Sequence, residues 1–416
     1  MDFEILLDKM IRGEKYYTSK ELEYDTSVGI LLSPYEYKSF ADYKLKSSFK
    51  GLGYIKPLEL KSFNDHELFF CESSELLTTV HSYMGLIIND YENFNMSLSD
   101  RNMDDIALSR IYSEVEGTLN IESVPTTRKA VSDMAAGKRE PKNNNEQIIK
   151  NMIEGVEFVN QCPPFNEENL FKLYTILSNG CLEEDNKLLE GNHYRHDGVE
   201  IDNYNGCPFD KIKECMDSLF EFVEKNKKNL DLKYYLPHIA HYYVVYVHPY
   251  FDYNGRTARM VSYWVSLLTN RNIIPPVASE AINQTKKQYY DSLRETREAN
   301  NDLTYFLSYI FKVSISYFLA YRNIEEIDQE LKNKAIVLTN LEKSHLKKIL
   351  ISNKGKFTHG DFTKWVDINM TKQGALKILN SFESYGVLKS TTSQSNNKLF
   401  EVNPDFIKYR MNGLLA

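Results

Sequence analysis

The chain has 416 residues, which at about 150 residues per domain suggests two to three domains. With 42% hydrophobic, 13% aromatic and only 26% charged residues, it carries enough apolar surface for a sizeable core, which excludes disorder over most of its length. Fifty Lys+Arg against 58 Asp+Glu give a net charge of -8, which excludes a protein that coats nucleic acid or anionic membrane with its whole surface.

The N-terminus, MDFEILLDKMIRGEK, places acids before its first lysine and has no long apolar core, so it does not read as a secretory signal. Residues 1–103 mix short aromatic runs with Gly51, Gly53 and Pro57, a pattern of short helices and extended pieces to which no role attaches. From Asp104 the run DDIALSRIYSEV places Ile106, Leu108, Ile111, Tyr112 and Val115 at helical spacing, and Gly117 is a natural stop, so a helix is expected to end near Glu116. Successive helices are predicted over 146–160, 166–178, 208–227, 231–247, 254–270, 281–299 and 302–321, with a hairpin at 188–208.

The run from Thr304 to Tyr321 is apolar but is interrupted by Lys312 and several hydroxyls, so it reads as a buried helix and not a membrane span. A charged helical connector follows at 322–340. From Leu341 to Ala416 there are 12 Lys+Arg and 6 Asp+Glu, a local +6 that leaves -14 on the rest. The expected order there is helix 341–352, helix 359–367, a turn at Asp367–Asn369, helix 371–385 and hairpin 387–402, which resembles a winged helix. Lys372, Gln373 and Lys377 open the third helix, so residues 341–416 are a candidate DNA-binding or protein-contact module. Five cysteines without a Cys-x-x-Cys pair encode neither a disulfide framework nor a zinc ribbon, and a reducing cytoplasm fits them best.

The chemistry concentrates in HPYFDYNGRTARM (248–260), directly after the apolar run ending at Val247. Pro249 and the Asp-Tyr-Asn-Gly cluster break one helix, and a second restarts, so a loop opens onto a helix N-terminus whose free N–H groups suit phosphate. Arg256 and Arg259, three apart on that helix, can fork onto phosphate oxygens. Asp252 can hold a magnesium ion that also bridges phosphates, and His248 is placed to take a proton from an attacking hydroxyl. His238 and His241 lack an acidic third ligand at suitable spacing and read as polar positions on a partly buried helix. AAGKRE resembles the end of a phosphate loop, but Ser132 stands where its upstream glycine belongs, so it carries no nucleotide signal.

Residues 248–259 resemble the motif of the Fic family, His-x-Phe-x-Asp/Glu-Gly-Asn-Gly-Arg-x-x-Arg. The resemblance implies a mainly α-helical Fic core at 104–321 that transfers AMP from ATP, with Mg2+, to a Ser, Thr or Tyr hydroxyl of a protein target. It assigns His248 as base, Asp252 as metal ligand, Asn254 and Gly255 as the anion-hole positions, and Arg256 and Arg259 to the β- and γ-phosphates. Tyr250 stands in place of Phe. Tyr253 stands in place of Gly; with positive φ it would be strained by about 1–3 kcal/mol, and its ring could narrow the cradle.

The 188–208 hairpin, with Tyr194 and Arg195, is similar to the flap that holds a target peptide in this family. YSEVEGT (112–118) resembles the family's inhibitory motif, Ser/Thr-x-x-x-Glu-Gly/Asn, on a helix taken as 104–117. By that resemblance Glu116 pairs with Arg259 and keeps it off the γ-phosphate. Removal of AMP, with a glutamate orienting water, and a catalytically silent DNA-binding regulator are the alternative readings. Self-modification and a homodimer are both compatible with the resemblance.

Overall fold

The computed structural model describes residues 3–97, 112, 114–124, 126, 128–201, 204–269, 279–352, 355–366, 370–392 and 397–408. Most of the helix expected from Asp104, the turn at Asp367–Asn369 and residues 202–203 of the hairpin lie outside the described residues. The chain is mainly α-helical, with three two-stranded antiparallel sheets, and divides into two compact units, Met1–Phe311 and Lys312–Ala416. No helix among the described residues is long and apolar enough to cross a membrane.

Local sequence explains how the first unit begins. Thr18 with Glu21, and Ser33 with Glu36, form complete capping boxes that start helices Ser19–Tyr24 and Pro34–Lys44, the latter with proline in its first turn. Helix Phe3–Arg12 buries Leu6, Leu7, Met10 and Ile11 along one face. The hairpin of Ile55–Lys61 with Glu67–Cys71 completes this part and leads into helix Ser74–Ser97. Its apolar cluster also takes in Ala299 and Tyr305 from far along the chain.

A buried polar network reinforces that packing. Lys44 and Asp302, both with fully buried side chains, pair at 2.8 Å, and the Tyr16 hydroxyl donates to Asp302 at 2.7 Å. Glu295 accepts from the Ser19 and Tyr37 hydroxyls, each at 2.7 Å. These bonds are what make a buried lysine tolerable.

The middle of the first unit is a helical core: Asn144–Asn160, Glu167–Ser178, Ile212–Asn226, Leu236–Val247, Asn254–Thr269 and Lys286–Glu298. Leu236–Val247 is buried on nearly every side and packs along Asn254–Thr269. Trp264 anchors the latter, fully buried against Phe158 and Phe165 and donating to the Pro163 carbonyl at 3.0 Å.

Three of the predicted helices after residue 230 differ from those observed. The helix expected from 231 starts at Leu236, where Pro237 occupies the first turn and has no N–H to lose. The helix expected over 281–299 is interrupted at Thr285 into Ser279–Gln284 and Lys286–Glu298. The helix expected over 302–321 runs from Thr304 to Asn333, because the charged stretch after Tyr321 has no breaker.

In the second unit, helices Asn340–Ser352, His359–Val366 and Lys372–Ser384 precede a hairpin of Leu388–Thr392 with Lys398–Val402. Its core gathers Leu346, Phe357, Phe362, Leu379, Phe382 and Phe400.

Truncating Asp302 to alanine strands a buried ammonium, so Asp302→Ala should cost about 3–5 kcal/mol in chemical denaturation. The exposed pair Lys150–Glu140 is the control, and Lys150→Ala should leave the unfolding midpoint unchanged.

Candidate functional site

The loop between the two central helices is fixed by its own side chains. His248 ends the first helix in the left-handed region, at φ 55° and ψ 63°. Asn254 accepts from the Tyr250 amide at 3.0 Å and donates to the Tyr250 carbonyl at 2.8 Å, closing a ring around residues 250–254. Tyr250, fully buried, stacks on Tyr174 with centroids 3.8 Å apart, which makes the Phe-to-Tyr change a packing matter. Tyr253 does adopt positive φ, 68°, so the strain expected for a side chain at the family's glycine position is present.

This loop opens onto a cavity of about 720 Å³. His248, Asp252, Tyr253, Asn254, Gly255, Arg259 and Glu122 line one part of it, and Tyr204, Tyr242, Tyr246, Tyr289, Tyr290, Arg294 and Arg297 line the remainder. Burial pushes the His248 imidazole down to about 4, helped by the nearby charge of Arg195, so the ring is neutral near pH 7 and able to accept a proton. Its Nδ1 is buried with no hydrogen-bond partner among the described residues. Asn254 and Gly255 begin the second helix, and their position at its N-terminus, on the cavity, suits an anion.

The carboxylate on Arg259 belongs to Glu122, not Glu116. Glu122 Oε1 lies 2.5 Å from Arg259 Nη2, and Arg259 Nε donates to Thr118 Oγ1 at 2.6 Å. Burial works against the Glu122 charge, but Arg259 outweighs it and holds the carboxyl below its ordinary range. The chain is helical from 114 to 121, so Gly117 is inside the helix and does not stop it.

Gly117 serves close approach instead: a Cβ there would sit 2.5 Å from the Glu280 amide nitrogen. Glu114 accepts from the Ser279 amide at 3.1 Å, and Lys286 donates to the Ile121 carbonyl, so the helix is tied down at both ends. At 100° per residue, Glu116 is about 120° around the helix from Glu122. The sequence also carries the Ser/Thr-x-x-x-Glu spacing at Thr118-Leu119-Asn120-Ile121-Glu122. Ser123 stands where the closing Gly/Asn belongs, whereas Glu116-Gly117 matches that end six residues upstream.

Glu122 also reaches the helix N-terminus. A Cβ on Gly255 would be 2.7 Å from Glu122 Oε1, so only glycine leaves room for the carboxylate there. The anion-favouring end of the helix is thus filled by an acid of the same chain.

Arg256 is not among the described residues that line the cavity. Its guanidinium stacks 3.4 Å from the centroid of the Tyr253 ring and pairs with Asp252 at 3.5 Å. Asp252 lines the cavity with its side chain 47% exposed. Among the described residues no cluster of three or more His, Cys, Asp or Glu could hold a metal. One carboxylate on the cavity nevertheless fits a magnesium ion that draws its other ligands from phosphates and water.

Tyr194 and Arg195, expected on a target-binding flap, are buried at 8% and 2% exposure. Arg195 Nε donates to the His248 carbonyl at 2.8 Å, its amide donates to the Pro249 carbonyl at 2.9 Å, and its guanidinium reaches the Cys207 carbonyl. All three guanidinium nitrogens donate to backbone carbonyls, of His248, Asp197 and Cys207, so Arg195 braces the loop. The strands of the hairpin shorten to Glu200–Ile201 and Tyr204–Asn205. His238 and His241 are buried and neutral, and His241 bonds the Tyr289 hydroxyl at 2.9 Å.

A family model described as the Fic/DOC family matches residues 164–266. The protein adenylyltransferases fic-1 of Caenorhabditis briggsae and Caenorhabditis elegans are each 41% identical to this chain over 76 residues, which is 18% of this chain and 14% of theirs. A crystal structure of a Fic family protein from Desulfovibrio desulfuricans G20 aligns over 82% of this chain and 98% of its own, with a TM-score of 0.50 at 16% identity, a likeness of fold. The loop ring, the neutral histidine and the start of the helix that opens on the cavity fall within the matched span, so the chain carries a Fic domain there.

Proposed function

We propose that this chain transfers the AMP part of ATP to a hydroxyl side chain of a protein, and that Glu122 restrains the reaction. The observation that carries this reading is one cavity shared by an unprotonated imidazole and a helix N-terminus that an internal carboxylate fills. His248 takes the proton of the target hydroxyl. The freed oxygen bonds to the α-phosphorus as the bond to the β-phosphate oxygen breaks, and pyrophosphate leaves. The amides of Asn254 and Gly255 donate to the phosphate oxygens on which charge grows. Asp252 is the residue that would hold magnesium, which supplies charge neutralisation across the phosphates. With Glu122 in place, Arg259 is taken and the phosphates meet a carboxylate at Gly255.

For the second unit we propose contact with duplex DNA. Lys343, Lys389, Lys398 and Lys408 are paired with carboxylates. Lys356, Lys364, Lys372 and Lys377 are exposed and pair with no carboxylate among the described residues, and they cluster in the two helices and the loop before the hairpin. Unpaired lysines with an exposed Gln373 suit phosphate contacts.

Labelling, its pH dependence and DNA binding each test a part of this reading. With ATP labelled on the α-phosphate and magnesium, Glu122→Gly should raise protein labelling by about tenfold or more, the scale of removing one charge-assisted bond. Glu116→Gln should label as wild type does, and His248→Ala in the Glu122→Gly background should abolish the signal. Because the base titrates near 4 in place of 6.5, its unprotonated form persists as pH falls through 6.5. Transfer by Glu122→Gly should therefore hold its rate to about pH 5 and decline only toward 4, and a midpoint near 6.5 would contradict the assignment. In the full chain, Lys372→Glu with Lys377→Glu should weaken duplex DNA binding and flatten its salt dependence by about two phosphate contacts.

A further inference from the structure

The family motif gives its first arginine to phosphate, but in this chain three observations direct Arg256 elsewhere. Its guanidinium carbon lies over the Tyr253 ring, 3.4 Å from the centroid, with its side chain 8% exposed. Its Nε is buried without a hydrogen-bond partner among the described residues, and Nη2 contacts Asp252 Oδ1 at 3.5 Å. The neighbouring motif residues Asp252, Tyr253, Asn254, Gly255 and Arg259 line the cavity, and Arg256 does not.

Asp252 shows the other half of the arrangement. Its Oδ1 accepts from the Tyr253 amide at 2.6 Å and faces Arg256, while Oδ2 has no hydrogen-bond or ion-pair partner among the described residues. One oxygen is anchored and one is left over. A carboxylate rotates freely about its last bond unless something holds one oxygen, and here two donors hold the same one.

We propose that Tyr253 is a positioning residue that takes Arg256 out of the phosphate site and sets it on Oδ1 of Asp252, so that Oδ2 is presented to a divalent cation. A phenol ring suits this task because a planar guanidinium stacks on an aromatic face while keeping its in-plane N–H groups for a carboxylate. The positive φ of Tyr253 is the cost of putting a ring where the family's glycine would leave none. The substitution thus reassigns the first arginine from phosphate ligand to carboxylate holder, and leaves Arg259 as the motif arginine on the cavity. The clamp itself stands independently of the adenylyl-transfer reading; its consequence for magnesium and ATP rests on that reading.

Arginine side-chain NMR on the full chain tests the clamp directly, in the Glu122→Gly background, with Arg256→Lys supplying the assignment. A guanidinium on a ring face has its Nε–H resonance shifted upfield of the other arginines. That resonance should persist in Tyr253→Phe, vanish from its upfield position in Tyr253→Ala, and remain upfield when magnesium and a non-hydrolysable ATP analogue are added. If it stays in Tyr253→Ala, or moves to the ordinary range on adding the analogue, the proposal is overturned.

Calorimetry gives the second readout. Tyr253→Ala should reduce the magnesium-dependent gain in analogue affinity by about tenfold, while the affinity without magnesium changes little. Equal losses with and without magnesium would mean that Arg256 grips phosphate, against the proposal. If the parent binds no analogue under either condition, the adenylyl-transfer reading fails, and the resonance in Tyr253→Ala still decides the clamp.

Discussion

A guanidinium removed from water requires a counter-charge, and Arg259, with 3% of its side chain exposed, takes its own from Glu122. Two features of the cavity end favour an anion: this arginine and the N-terminus of helix Asn254–Thr269 at Gly255. Glu122 satisfies both at once, because Gly255 has no side chain to keep it away. A phosphate group would compete for the same two features. On the proposed function, an internal and an external anion compete for this end of the cavity, with Glu122 carried just past the helix from 114 to 121. That helix is docked through Gly117, Glu114 and the Lys286 bond, so Glu122 is delivered by packing and not by a mobile side chain alone.

The rest of the first unit supplies rigidity for that choice. Tyrosines do much of the work, since each offers a large apolar ring and one polar end that finds backbone or an amide. Tyr242 donates to Asn301 at 2.8 Å and Tyr243 to the Lys61 carbonyl at 2.6 Å, so the helix before the motif is sewn to both neighbouring segments. Glu295 lies on the helix that also carries Tyr289, Tyr290, Arg294 and Arg297 to the cavity, and its bonds to Ser19 and Tyr37 tie that wall to the N-terminal helices. The N-terminal segment thereby supports one side of the cavity without touching it.

How far the sequence could be read follows from where each residue's partners lie. His248, Asp252, Asn254, Gly255 and Arg259 are close together in the chain, and a helix-breaking loop followed by a helix is a local event, so the spacing was enough to place them on one cavity. The helices of the second unit were legible for the same reason, with Thr358, Thr371 and Phe357 marking starts and core within a few residues. Glu122 was not found because two glutamates six residues apart both offered a fragment of one motif, and only packing against Glu280 distinguishes them. Tyr194 and Arg195 read as part of a target-binding flap because glycines and aspartates around them signal a hairpin, yet Arg195 folds inward onto the His248 carbonyl, 53 residues away. The N-terminal segment was opaque because its core closes on Ala299 and Tyr305, and nothing near Lys44 announces Asp302.

The central claim is that Arg259 and the Gly255 end of the helix hold the phosphates of ATP once Glu122 withdraws. A crystal structure of the Glu122→Gly protein with magnesium and a non-hydrolysable ATP analogue tests it most directly. Phosphate oxygens should lie within hydrogen-bond distance of Arg259 and of the Asn254 and Gly255 amides, with the α-phosphorus facing His248 and room for a hydroxyl between them. An analogue bound with its phosphates away from Arg259, or with His248 shielded from the α-phosphorus, would contradict it.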